Sequence, residues 1–144
     1  VHASEISRRV ASVWQLNRTG SRISRCVDEA ISYLSRRSKV RRLRDFVVIP
    51  DAKINIRNRA DVESDGLRKP ELLPPDEIQV GLETVVATHL GIEPDEAVKE
   101  VASLFGFKST SSKLKSIIKK QLSAQKREGV FEERNGRLYA VEKK

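Results

Sequence analysis

Between Val101 and Arg127 the chain carries seven basic side chains, Lys108, Lys113, Lys115, Lys119, Lys120, Lys126 and Arg127, and no acid. Thr110 and Ser112 add hydroxyls within the same stretch. Cations, hydroxyls and the free N–H groups of a helix start together favour anions, and a nucleic-acid phosphate backbone is the anion such a set suits. An earlier stretch holds a comparable set, Arg18, Thr19, Ser21, Arg22 and Arg25, followed by Arg36, Arg37, Lys39, Arg41, Arg42 and Arg44, with Asp28 and Glu29 weakening it. Backbone contact is expected rather than base reading, because few Asn or Gln side chains face outward and the bidentate base-reading set is thin apart from Arg22 and Arg25. The ordinary alternative for any charge run is a solvated helix face.

The remaining chemistry-bearing residues point to no reaction. Cys26 has no activating base nearby and is expected to be a buried small hydrophobe. His2 and His89 stand too far apart for a zinc site, and His89 is expected late in a helix with its ring at the surface or satisfied. Asp95-Glu96 and Glu132-Glu133 fall at a helix start and a ribbon, where dipole compensation and solvation account for them. No Gly-rich phosphate loop, Ser-His-Asp set or metal-ligand spacing occurs. The expectation is a non-enzyme that needs no metal and no cofactor.

The elements that position the basic residues are written twice. Sliding the sequence against itself superposes Val10-Ala11-Ser12-Val13-Trp14-Gln15-Leu16 on Val101-Ala102-Ser103-Leu104-Phe105-Gly106-Phe107, and the match runs on without a gap. Thr19, Ser21, Ser32 and Arg36 then fall on Thr110, Ser112, Ser123 and Arg127. Such agreement marks one supersecondary unit used twice. In each copy a short helix is predicted from apolar residues at i, i+4, i+7 and i+8, Ile6, Val10, Val13 and Trp14 in one and Ala97, Val101, Leu104 and Phe105 in the other. Trp14 and Phe105 are expected in the core. Thr19 and Thr110 are expected to cap a longer second helix, whose inner stripe is Ile23, Cys26, Val27, Ala30, Ile31 and Leu34, or Leu114, Ile117, Ile118 and Leu122. A hairpin follows in each, over 39–49 and 129–141, the second with an Asn135-Gly136 turn. Two helices at a turn followed by a hairpin is a helix-turn-helix with a wing. A preceding helix, started by Pro74-Pro75 and stopped by Gly91, belongs to the second copy, and its counterpart in the first would lie before Val1.

The 144 residues hold 28 Lys and Arg against 20 Asp and Glu, a net charge of +8 and a pI near 9.9. That balance predicts a soluble, basic, folded chain of one ordinary domain or two very small ones. No apolar run is long enough to span a bilayer and no secretory leader is evident, so no membrane partner is expected. The single cysteine gives no sign of an oxidising compartment, so a cytoplasmic location is expected. Absence of methionine and an opening on Val1-His2 are taken as the mark of a fragment of a longer protein. Residues 51–75, with Pro70, Pro74 and Pro75 and the clusters Arg57-Asn58-Arg59 and Glu63-Ser64-Asp65-Gly66, are expected to form an irregular acidic connector between a first unit, 1–50, and a second, 76–144.

The stretch Arg8-Arg9-Val10-Ala11-Ser12-Val13-Trp14-Gln15-Leu16-Asn17-Arg18-Thr19-Gly20-Ser21-Arg22-Ile23 resembles the start of the domain of unknown function 3320, found near the C-terminal end of large bacterial superfamily I helicase-like proteins. Glu100 to Leu114 looks like the later half of the same family, and with Arg44-Asp45-Phe46 and Pro74-Pro75 the resemblance covers nearly the whole chain. Gln15 departs from it where Gly is expected, and Ser111 stands where the first copy has Gly20. The resemblance implies an accessory module of an ATP-dependent helicase, often with a nuclease-like domain of the very-short-patch-repair type upstream. No ATPase or nuclease motif lies in these residues. The expected fold is therefore mostly α with small β-hairpins, a tandem pair of winged-helix units, the first lacking its opening helix. The expected function is non-catalytic DNA engagement. The competing expectation is a protein-docking or regulatory module that packs on other domains of the parent helicase-like chain.

Overall fold

The computed structural model describes residues 1–142. The described residues are α+β, with five α-helices and two small antiparallel two-stranded sheets among them, and the chain divides into two compact units, Val1–Lys53 and Ile54–Lys144.

In the first unit, helix α1 (Ala3–Val13) is capped by His2, whose Nδ1 accepts from the Ser4 N–H at 3.2 Å. Helix α2 (Ser21–Arg36) follows, and then strands β1 (Arg41–Leu43) and β2 (Phe46–Val48), in register Arg42 opposite Val47. A short third pairing ties the chain start to this hairpin. The Val1 amino group donates to the Val47 carbonyl at 2.8 Å, Val47 N–H returns a bond to the Val1 carbonyl at 2.8 Å, and His2 bridges to Phe46. The buried apolar side chains are few, Ala11, Val27 and Ile31. Glu5 is buried among them because two arginines satisfy its carboxylate: Arg8 donates from Nε and Nη2 at 2.8 and 2.7 Å and Arg9 from Nε at 2.9 Å.

In the second unit, helices α3 (Pro75–Thr88), α4 (Pro94–Leu104) and α5 (Ser112–Arg127) precede strands β3 (Phe131–Arg134) and β4 (Arg137–Ala140). The predicted Asn135-Gly136 turn closes that hairpin, both residues at positive φ (50° and 75°), the combination a tight two-residue hairpin turn demands. Ile92 bridges to Leu138 through paired backbone bonds of 3.2 and 2.7 Å, as Val1 does to Val47. Helix α3 lies on α4, α5 and β4, and Ile78, Leu82, Val98, Val101, Phe105, Leu114, Ile118 and Leu138 are completely or almost completely buried.

The repeat is carried into three dimensions element by element. Ala3–Val13 against Pro94–Leu104 and Ser21–Arg36 against Ser112–Arg127 begin and end at equivalent residues. The left-handed positions coincide too, Gln15 with Gly106, Ser38 with Gly129 and Arg44 with Asn135. Each short helix closes by the same bond, Leu16 N–H to Ala11 O at 2.9 Å and Phe107 N–H to Ala102 O at 3.0 Å.

Several expectations are corrected. The caps of α2 and α5 are Gly20 and Ser111, one residue beyond Thr19 and Thr110; Ser111 Oγ accepts from the Leu114 N–H at 3.2 Å, and Gly20 offers no side chain. Residues 54–74 are irregular apart from two short 3-10 turns, and they cluster with the second unit rather than standing between the two. Glu77, at the start of α3, is buried and binds Arg57 (Nε, 2.8 Å) and Arg59 (Nη2, 2.9 Å), while the Arg59 N–H donates to Phe105 O at 2.8 Å. Ile56 and Leu73 pack on the core. The polar Arg57-Asn58-Arg59 cluster is ordered by one buried carboxylate, which composition cannot reveal. Finally, Trp14 is 63% exposed and Cys26 is exposed, whereas Phe105 is fully buried and Ile117 is packed against its core. The inner stripe of α2 narrows to Ile23, Val27 and Ile31, because nothing in the first unit occupies the place that α3 holds in the second.

Candidate nucleic-acid interface

Helix α5 is amphipathic in the sense that Leu114, Ile118 and Leu122 enter the core, which turns Lys113, Ser116, Lys120, Ser123 and Arg127 outward. These residues recur at i, i+3, i+7, i+10 and i+14, one continuous stripe along a helix of 3.6 residues per turn. The stripe contains cations and hydroxyls and no carboxylate. Lys120 and the upstream Lys108 are exposed and make no ion pair among the described residues.

The flank of the stripe is different. Lys119 and Lys115 both reach Asp95 in the first turn of α4, at 2.7 and 3.2 Å, and both are half-buried. The Lys119 hydrogen bond, with Lys115 adding to it, holds the Asp95 carboxyl below its ordinary range. Lys113 pairs with Glu71 at 3.1 Å; Glu71 is also lowered, first by its own backbone N–H and then by Lys113. Lys126 likewise pairs with Glu133, so four of the seven basic residues between Val101 and Arg127 already have carboxylate neighbours. Such exposed pairs are weak and exchange readily with water or a phosphate. Thr110 is half-buried and Ser112 exposed, and neither caps the helix.

The equivalent stripe on α2 is Arg22, Arg25, Glu29, Ser32 and Arg36. Glu29 stands where Lys120 stands in α5, and Asp28 beside it pairs with Arg42 of β1 at 3.0 Å. Arg18, Thr19, Ser21, Arg22, Arg25 and Arg41 are all exposed. Because Gly20 supplies no capping side chain, the first amides of α2 lack the internal acceptor that Ser111 provides for α5. A shallow groove of about 470 Å³ runs beside this stripe, lined by Ser21, Ser24, Arg25, Asp28, Glu29, Ser32 and Arg36. The first unit thus presents an open helix start with a mixed-charge stripe, and the second a capped helix whose stripe carries cations and hydroxyls only.

The structure brings further residues to the interface. Ser116 and Ser123 complete the α5 stripe, a signal available from their spacing to Lys113, Lys120 and Arg127. Arg134 and Arg137 flank the exposed turn of the second hairpin, where the Arg134 guanidinium pairs with Glu132 and lies 5.2 Å from the Tyr139 ring centre. No helix is long and apolar enough to cross a membrane among the described residues, and no cluster of three or more His, Cys, Asp or Glu there could hold a metal ion. Compared with known proteins, the chain matches no family model, no curated protein and no solved structure.

Proposed function

We propose that this chain is a non-catalytic DNA-binding module made of two winged-helix units, acting as an accessory part of a larger helicase-like protein in the cytoplasm. The observation that carries the reading is the acid-free stripe Lys113, Ser116, Lys120, Ser123 and Arg127 on α5, the helix that follows α4 and precedes the β3–β4 hairpin. In each unit a short pairing before the first of those two helices joins the following hairpin, His2 to Phe46 and Ile92 to Leu138, and this supports the wing assignment. The stripe meets phosphates through Lys120 and Arg127, with Lys108 and Lys113 at its start and Arg137 on the wing. Hydroxyls of Ser112, Ser116 and Ser123 add donors to phosphate oxygens. Binding of this kind is insensitive to sequence and suits a motor that meets any sequence.

Fluorescence anisotropy of labelled duplex, forked and single-stranded DNA across a salt series tests it. Affinity for duplex is expected to fall with a log–log slope of about −0.9 per phosphate neutralised. Absence of binding to any form at low salt would instead favour docking on other domains of a parent chain. The pairing of Lys113, Lys115 and Lys119 with Glu71 and Asp95 is the observation that keeps that second reading in play.

A further inference from the structure

The first unit carries an apolar groove of about 390 Å³, walled by Val1, Ile6, Val10, Val13, Val47 and Ile49, with Arg9 at its rim. Val13 and Ile49 are 78% and 68% exposed, and Trp14, next to Val13 in the chain, and Leu34 of α2 are 63% and 39% exposed. By the repeat, Val1, Ile6, Val10 and Val47 are the equivalents of Ile92, Ala97, Val101 and Leu138, each at most 1% exposed in the second unit. What covers the second set is known. Helix α3 lies on α4, α5 and β4 there, its Gly81 backbone directly over Val101 and Phe105.

We infer that the groove of the first unit is the seat of an amphipathic α-helix supplied from outside residues 1–144, packed as α3 packs on the second unit. Two exchanges between the copies specify its chemistry. Gln125, which donates to Glu83 of α3 at 2.9 Å and to the Gln79 carbonyl at 3.4 Å, is replaced in the first unit by Leu34. The docking helix therefore carries an apolar residue where α3 has Glu83. Glu100, which lies 3.3 Å from His89 at the end of α3, is replaced by Arg9. The docking helix therefore ends in a carboxylate at the place of His89, and its C-terminal carbonyls favour the same arginine. Small side chains are required opposite Trp14, since the place of its counterpart Phe105 is met by a glycine. A helix with anchors at i, i+4, i+7 and i+8, as Ile78, Leu82, Val85 and Val86 are spaced, lays a continuous apolar stripe along such a groove.

Trp14 is the sole tryptophan and sits where the docked helix would cover it, so its emission reports occupancy directly. The probes are three peptides spanning Pro74–Gly91, none containing tryptophan: the natural sequence, one with Glu83→Leu and His89→Glu, and the latter with Leu82→Asp added. Titrated into the 144-residue chain, the doubly substituted peptide is expected to blue-shift Trp14 saturably and to bind about tenfold or more tightly than the natural one. Leu82→Asp is expected to abolish the shift, as is Val10→Asp in the chain, with circular dichroism checking that α1 is retained. No shift with any peptide, or equal shifts with all three, overturns the inference. A blue shift that grows with the chain's own concentration and resists the peptides assigns the groove to a second copy and overturns it equally.

Discussion

Trp14 and Phe105 occupy the same place in two copies of one folding unit, yet Phe105 is completely buried and Trp14 is 63% exposed. The difference lies in what surrounds them. Phe105 is met by Gly81 of α3 and by the Arg59 guanidinium 5.3 Å from its ring centre, whereas the first unit contains no element equivalent to either. Truncation should therefore have unequal effects. Phe105→Ala is expected to destabilise the second unit by about 3–5 kcal/mol, while Trp14→Ala is expected to change the first by less than about 1 kcal/mol. Chemical denaturation followed by amide NMR, which resolves the two units separately, measures both.

The residue after each of these aromatics tests the same asymmetry through the backbone. Gly106 has φ 86°, and a Cβ there would lie 2.4 Å from Asn58 Oδ1 and 2.5 Å from Ala60 N, so the close approach of residues 58–60 requires glycine. Gln15 holds the equivalent left-handed position at φ 57° with a full side chain. Gly106→Ala is expected to destabilise the second unit by more than about 1 kcal/mol, and Gln15→Gly to stabilise the first by about 0.5–1 kcal/mol. Thermal unfolding of the two variants against the unsubstituted chain gives the signs.

Acid sensitivity of the first unit should trace to Glu5. Its hydrogen bonds from Arg8, with Arg9 contributing, hold the carboxyl below the ordinary glutamate range against the opposing effect of burial. A carboxyl depressed in the folded state stabilises fully above its unfolded value, and that contribution is lost as the pH falls through the folded one. The first unit is therefore expected to lose stability on acidification below the ordinary glutamate range. Glu5→Gln should lower stability at neutral pH by about 1–3 kcal/mol and flatten the acid limb. Unfolding curves of both forms between neutral pH and mild acid provide the comparison.

Under the proposed DNA-binding function, Asp95 limits how much charge α5 offers. It is exposed and engages both Lys115 and Lys119, so a phosphate brought to α5 would compete with it. Asp95→Asn is expected to strengthen duplex binding severalfold and to steepen its salt dependence, since two lysines are released. Unchanged affinity in that variant would mean that Lys115 and Lys119 stay outside the contact. That result would confine binding to the outward stripe.

The repeat, its two helix pairs and its hairpins were legible because each depends on local signals: apolar spacing, turn residues and self-similarity. The self-similarity carries through to the helix limits, which match between α1 and α4, although the expected caps Thr19 and Thr110 fall one residue short of Gly20 and Ser111. Legibility failed where the deciding partner is distant in sequence. Arg57 and Arg59 look like linker residues until Glu77 is placed beside them, and Lys113, Lys115 and Lys119 look free until Glu71 and Asp95 approach. Trp14 and Cys26 were misjudged for the converse reason. Their apolar character and period are those of core residues, but burial needs a covering element, and the periodicity of one helix carries no record of it.

Lys120 and Arg127 lie on the outward stripe and make no ion pair among the described residues, so they isolate the central claim from the Asp95 and Glu71 contacts. The decisive measurement is the salt dependence of duplex binding for Lys120→Glu with Arg127→Glu, beside a control reversal at Lys99 on α4. Reversal at the stripe is expected to weaken binding by at least about tenfold and to reduce the log–log slope by roughly two, with the Lys99→Glu control close to the unsubstituted chain. Equal affinity and slope in all three proteins would contradict DNA contact by α5.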